Sequence, residues 1–148
     1  MRVRHAAILT ILAMAEGGCG ADADQRVSMA LTHMAASAPD GSEIRLGPLT
    51  GFAWTSFVAF GPYTTRAQVD EALGFAWPGF DKFGLEASDR FTLLVFVRAD
   101  TVVHIEEHGR CRPDFAPDAL GRRVSQESAV FTLQKVSDCN VLHLRSAV

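Results

Sequence analysis

Phe91-Thr92-Leu93-Leu94-Val95-Phe96-Val97 runs into Arg98-Ala99-Asp100-Thr101, and the chain then continues Val102-Val103-His104-Ile105-Glu106-Glu107. The first run is strongly apolar and bounded by polar residues, which reads as a strand. Arg98 to Thr101 is a tight turn. The second run opens β-branched and is expected to return as the partner strand over Thr101 to Glu107. This hairpin implies a sheet that is at least partly antiparallel.

Upstream, Ala53 to Phe60 (AWTSFVAF) is aromatic and β-compatible with glycine on either side, and reads as a buried strand. Gly61-Pro62-Tyr63 turns the chain. Thr65 with Gln68 forms a capping box, in which each side chain satisfies a free backbone N–H. The helix it opens, Arg66 to Leu73, would bury Val69, Ala72 and Leu73, with Gly74 closing it in the left-handed conformation. Glu43 to Leu46 reads as a short first strand. Val27, Ala30, Leu31 and Met34 have helical spacing ahead of the Pro39-Asp40-Gly41 turn. Downstream, residues 109 to 121 hold two prolines and two glycines inside the segment's bounds and read as a loop. Ala129 to Lys135 and Val141 to Leu144 are the last strands. The fold class expected is α+β, a mainly antiparallel sheet with one helix packed on a face.

The N-terminus has a different character. Arg2, Arg4 and His5 precede the uncharged run Ala6 to Ala15, and Gly17-Gly18-Cys19-Gly20 precedes a polar stretch. Basic head, short apolar run and small-residue exit are the parts of a secretory signal. The run falls short of the ~20 apolar residues needed to span a bilayer. A buried N-terminal helix is the alternative. The expected organisation is a signal peptide at 1–18, a tether or short helix at 19–42, and one α+β domain at 43–148, consistent with a chain of 148 residues. Two exits are open. Ala13-Met14-Ala15 fits ordinary signal peptidase. Gly17-Gly18-Cys19-Gly20 resembles the lipobox of bacterial lipoproteins, although Glu16 stands where that motif carries an aliphatic residue. The resemblance implies lipid on Cys19 and anchorage in the envelope, with Gly20 matching the pattern sent on to the outer membrane.

The cysteines bear on the choice. There are three, Cys19, Cys111 and Cys139, and an odd number in an oxidising compartment leaves one to explain. Lipid on Cys19 leaves Cys111 and Cys139 as a disulfide pair. Removing Arg2, Arg4 and Glu16 with the signal takes the formal charge from −3 to −4. A mildly acidic chain without a basic stripe has no electrostatic footprint for nucleic acid. No apolar run after residue 25 is long enough to cross a membrane.

Two stretches carry local resemblances. Trp54-Thr55-Ser56-Phe57-Val58-Ala59-Phe60-Gly61-Pro62-Tyr63-Thr64, leading to a helix that ends Leu73-Gly74, resembles a pattern in small uncharacterised bacterial lipoproteins. Thr65-Arg66-Ala67-Gln68-Val69 with Leu73-Gly74 is similar to a motif in the small lipoprotein of the outer-membrane β-barrel assembly machine and in β-lactamase-inhibitor-like folds. There the motif opens a helix packed on an antiparallel sheet; here an aromatic strand precedes it. Neither resemblance supplies catalytic residues.

His104-Ile105-Glu106-Glu107-His108 is the sharpest chemical candidate. On a helix, His104, Glu107 and His108 fit the H-x-x-E-H zinc pattern. The β-branched run before it favours a strand, on which His104, Glu106 and His108 share one face. Such a trio could hold zinc or copper; the plainer reading is a solvated polar face without metal. Cys111 beside His108 suggests a thiol nucleophile, but export favours the disulfide. No nucleophile elbow and no phosphate-cradling loop occurs. Tyr63, Trp77 and Phe80 are the candidate binding surface, the last two because Trp77 to Phe83 is a Pro-Gly loop. Exposed aromatics of this kind would mark a partner site. The expected function is a non-enzymatic exported lipoprotein, with no cofactor, that binds a protein partner or supports an envelope assembly. The rivals are an inhibitor or immunity-type protein, presenting Trp77 to Phe83 or residues 109 to 121, and a metal-dependent enzyme using the trio.

Overall fold

The computed structural model describes residues 25–146. The expected signal peptide and Cys19 lie outside them. The elements are α1 (Arg26–Ser37), β1 (Glu43–Arg45), β2 (Ser56–Phe60), α2 (Arg66–Leu73), β3 (Phe91–Arg98), β4 (Thr101–Gly109), β5 (Asp114–Phe115), β6 (Val124–Ser125), β7 (Val130–Gln134) and β8 (Val141–Leu144). Short 3-10 turns occupy Pro78–Phe83, Leu85–Ala87 and Pro117–Ala119 among others. The chain is α+β and mainly antiparallel. Its strands divide between two four-stranded sheets, ordered β4-β3-β2-β6 and β1-β7-β8-β5. Every named pairing is antiparallel except β5 with β8.

The first sheet is the middle layer, and the side chains of β3 show why. Seven consecutive residues, Phe91 to Val97, are buried. Leu94 and Phe96 enter a core shared with Phe57, Phe131 and Leu142, whereas Leu93, Val95 and Val97 enter a second core with Val69, Leu73 and Phe80. Apolar runs without alternation belong to strands covered on both faces. One cover is the second sheet together with α1. The other is α2 with the 3-10 turns. Each fully buried side chain of this size is worth about 1.5–3 kcal/mol of transfer free energy.

The hairpin forms as the sequence predicts, with Arg98 opposite Thr101. Ala99 takes φ 54°, a region ordinarily left to Gly or Asn. Arg123 holds that turn by donating from Nη2 to the Ala99 carbonyl at 3.1 Å. The same guanidinium bonds Ser56 Oγ at 2.8 Å and the Leu73 carbonyl, so it ties the end of α2 to β2 and the hairpin. Thr65 and Gln68 make the expected capping box, and Gly74 closes α2 at φ 77°.

α1 departs from the expected stripe. Val27 and Leu31 are buried, but so are Ser28 and Ala35, while Ala30 and Met34 are half-buried. The buried face is rotated toward Ser28, for a reason that lies in β4.

Candidate functional site

The His104–His108 segment is a strand, as its β-branched lead predicts, and it lies within β4. His104, Glu106 and His108 share a face. That face is not solvated: Glu106 and His108 are 2 % and 1 % exposed. The N-terminus of α1 lies over them. This corrects the plainer reading of the sequence, and the physical reason is the unmet need of a helix end.

The first N–H groups of any helix have no partner within it. Gln25, the N-cap of α1, supplies no side-chain bond, and no acid occupies the first turn. Glu106 fills both roles from 79 residues away in sequence. Its carboxylate accepts from Val27 N–H at 3.0 Å and Ser28 N–H at 2.7 Å. Negative charge there also matches the positive end of the helix dipole. His104 Nε2 lies 2.7 Å from the same carboxylate and donates to it. The His104 ring is in turn held against Phe52, with centroids 4.2 Å apart.

His108 continues the seam. Its Nε2 is 2.7 Å from the Pro113 carbonyl and its Nδ1 is 2.7 Å from Ser28 Oγ. A carbonyl only accepts, so Nε2 carries the proton. Nδ1 of the neutral ring then accepts from the Ser28 hydroxyl. Burial pushes the His108 imidazole down from its ordinary value; the Pro113 carbonyl, Asp114 and Glu106 oppose that and Arg112 adds to it. Ser28 is only 3 % exposed. It has the contact a hydroxyl nucleophile needs with its base, but the contact is sealed beneath α1. Among the described residues no buried side-chain polar atom lacks a partner.

This geometry also bears on the trio as a candidate metal set. Both nitrogens of His108 are taken by Ser28 and Pro113, and Nε2 of His104 is taken by Glu106. The side chains are strung along a hydrogen-bonded seam and do not surround a common point. Among the described residues, the group of three with ligand atoms all within 4.8 Å of one another is Cys111, Asp114 and Cys139. Two of these three are joined as a disulfide.

Cys111 and Cys139 are paired, with Cα atoms 4.8 Å apart, as expected. The loop around Cys111 is built by Asp114. Its carboxylate takes Arg110 Nε at 3.0 Å and Nη2 at 2.7 Å, and the Cys111 N–H at 2.6 Å. Partial burial alone would raise the Asp114 carboxyl; the Arg110 guanidinium and the Cys111 amide outweigh it and hold it below the ordinary value.

The candidate binding aromatics separate. Tyr63 is 59 % exposed and sits at φ 62°, its N–H bonded to the Leu85 carbonyl at 3.0 Å. The residues flanking it, Pro62 and Thr64, line an open groove of about 460 Å³ with Gln68, Glu71 and Leu120. Trp77 and Phe80 are 9 % and 2 % exposed, which overturns their expected exposure. Trp77 folds back over Gly79, where a Cβ would stand 2.6 Å from the indole nitrogen. Its ring meets Phe80 and Phe83 at 6.3 and 5.9 Å. The Pro-Gly loop is thus an aromatic cover for the second core.

Ser28 and Pro113 are the site residues that the motif reading misses. Ser28 had a signal: Ser28, Leu31 and Ala35 are spaced i, i+3, i+7, so the serine shares the apolar stripe. No protein-family model, curated protein or solved structure matches this chain.

Proposed function

We propose that this chain is an exported, lipid-anchored, non-enzymatic domain that binds a protein partner or supports an assembly in the cell envelope. The observation that carries the reading is the Cys111–Cys139 pair. Stable disulfides belong to oxidising compartments. With those two cysteines joined, Cys19 is the one left over from the three, at the residue the lipobox resemblance would lipidate. The strongest chemical candidates on β4 are engaged in docking α1, which supports a binding role over catalysis. Tyr63, exposed between two residues that line the groove, is among the described residues an aromatic available to a partner.

The test is mass spectrometry of the N-terminus of protein recovered from membranes. The expected result is a mature chain beginning at a diacylglyceryl-modified Cys19, with Cys19→Ser released from the membrane. An unmodified start at Glu16 would overturn lipidation. Cross-linking in intact envelopes addresses binding: wild type should give a discrete adduct that Tyr63→Ala loses.

A further inference from the structure

β4 is the outermost strand of its sheet. One edge is bonded to β3 along its length. On the other edge, no described residue bonds the backbone of Val102, Val103, His104 or Ile105. Such an edge is a row of donors and acceptors whose complement is another strand. Thr101 to Ile105 contains no proline and no Lys, Arg, Asp or Glu to blunt it, and the one interruption of the row is the bulge at Val103. Val102 to Ile105 also line an open groove of about 380 Å³ with Lys82 and Phe83. Side chains alternate along a strand, so four consecutive residues line one groove where it meets the strand edge-on.

Charge points to the occupant. Lys82 is exposed, its ammonium 5.1 Å from the Phe83 ring centre, and Glu107 is exposed on β4. Among the described residues neither belongs to an ion pair. The strand that fits this groove is therefore β-branched and uncharged where it meets Val102 to Ile105, and acidic where it passes Lys82. β4 itself has that composition.

We propose that a second copy of this chain occupies the edge, β4 against β4, antiparallel about a twofold axis. The register follows from the pairing with β3. Val102, Ile105 and Glu107 stand opposite Val97, Val95 and Leu93, all three of the core beneath α2. The register shift near Val103 keeps Val102 on that face. With the axis at Ile105 and Val103 as the extra residue of that bulge, Glu107 of each copy falls opposite Val102 of the other, beside that copy's Lys82. Two ion pairs then flank a continuous eight-stranded sheet.

Sedimentation equilibrium of the full chain tests this, with Lys82→Glu, Glu107→Lys and the double reversal. Both positions are exposed, so all three variants retain the fold, checked by circular dichroism. Wild type should show a concentration-dependent dimer. Each single reversal makes two like-charge contacts and should weaken the dimer by roughly tenfold or more at low salt. The double reversal should restore it. A chain that stays monomeric throughout leaves the edge to a strand of another protein and overturns the proposal. So does a dimer indifferent to the single reversals or not restored by the double.

Discussion

Replacing Glu106 by Ala removes the N-terminal cap of α1 without touching the helix. The lost carboxylate takes away two backbone bonds, at 3.0 and 2.7 Å, and the His104 contact at 2.7 Å. Its side chain is fully buried in the ion-pair geometry with His104, so water does not replace it freely. Two buried N–H groups left without partners cost about 1–3 kcal/mol each. Such terms are not additive, and breaking a buried charged interaction by deleting one partner typically costs about 3–5 kcal/mol. That range is the expected loss, against a total of about 5–15 kcal/mol for a domain of this kind. Glu106→Gln keeps the length and one carbonyl acceptor, but its amide group faces donors, so it should recover only part of the loss. The assay is urea unfolding at pH 7, followed by fluorescence of the buried Trp54 and Trp77. Amide exchange at Val27 and Ser28 should accelerate in step. A Glu106→Ala variant within about 0.5 kcal/mol of wild type, the range of ordinary surface substitutions, would refute the role assigned to the carboxylate.

Acid should destabilise the fold in two stages. The folded His108 value lies below 6.5, so the unfolded chain takes up the proton first, and stability falls as pH drops below about 6.5 until the folded ring titrates. One proton limits the slope to about 1.4 kcal/mol per pH unit; His108→Gln should flatten it, and an unchanged slope in urea titrations would contradict the sealed-ring reading. Asp114, held below 3.8 when folded, contributes stability above the ordinary carboxylate range that is lost as pH falls through its folded value. Replacing Cys111 and Cys139 together by Ser opens a loop with a sequence separation of 28, which should cost about 3–4 kcal/mol through the freedom returned to the unfolded chain. A thiol assay on denatured, unreduced protein should find neither of these two cysteines free, and titration of both would refute the pairing.

Local chemistry was readable and long-range partnership was not. The capping box of α2 and the β3–β4 hairpin depend on residues within a few positions of one another, so their signals survive in the sequence. The division into two sheets depends on Glu43 meeting Thr132 and on Phe115 meeting Leu142, pairings with no local signature. Phe91 to Val97 showed its apolar character, but not that its two faces serve different cores. Trp77 and Phe80 misled because Pro78 and Gly79 mark a turn; the turn is real, yet it folds the rings inward. Glu106 and His108 misled in the opposite way. Charged and polar residues on one strand face ordinarily meet water, and here they meet a helix end that needs an anion.

That need explains why α1 depends on the rest of the fold. Twelve residues are marginal for an isolated helix, and this one brings no side-chain cap, no acid in its first turn and no base in its last. The fold supplies each from outside. Glu106 provides the acid at the start. At the end, Lys135 Nζ donates to the Ala35 and Ala36 carbonyls and Asn140 Nδ2 to Ala35 at 3.2 Å, placing a cation at the negative pole. Thr32 Oγ1 adds a bond to the Arg112 carbonyl at 2.9 Å. Arg112 and Asn140 each adjoin a disulfide cysteine, Cys111 and Cys139. The covalent bond therefore restrains both segments that grip the helix, while His108 ties Ser28 to Pro113 in the same loop. Reduction and acid act on different bonds, but both loosen the walls around α1.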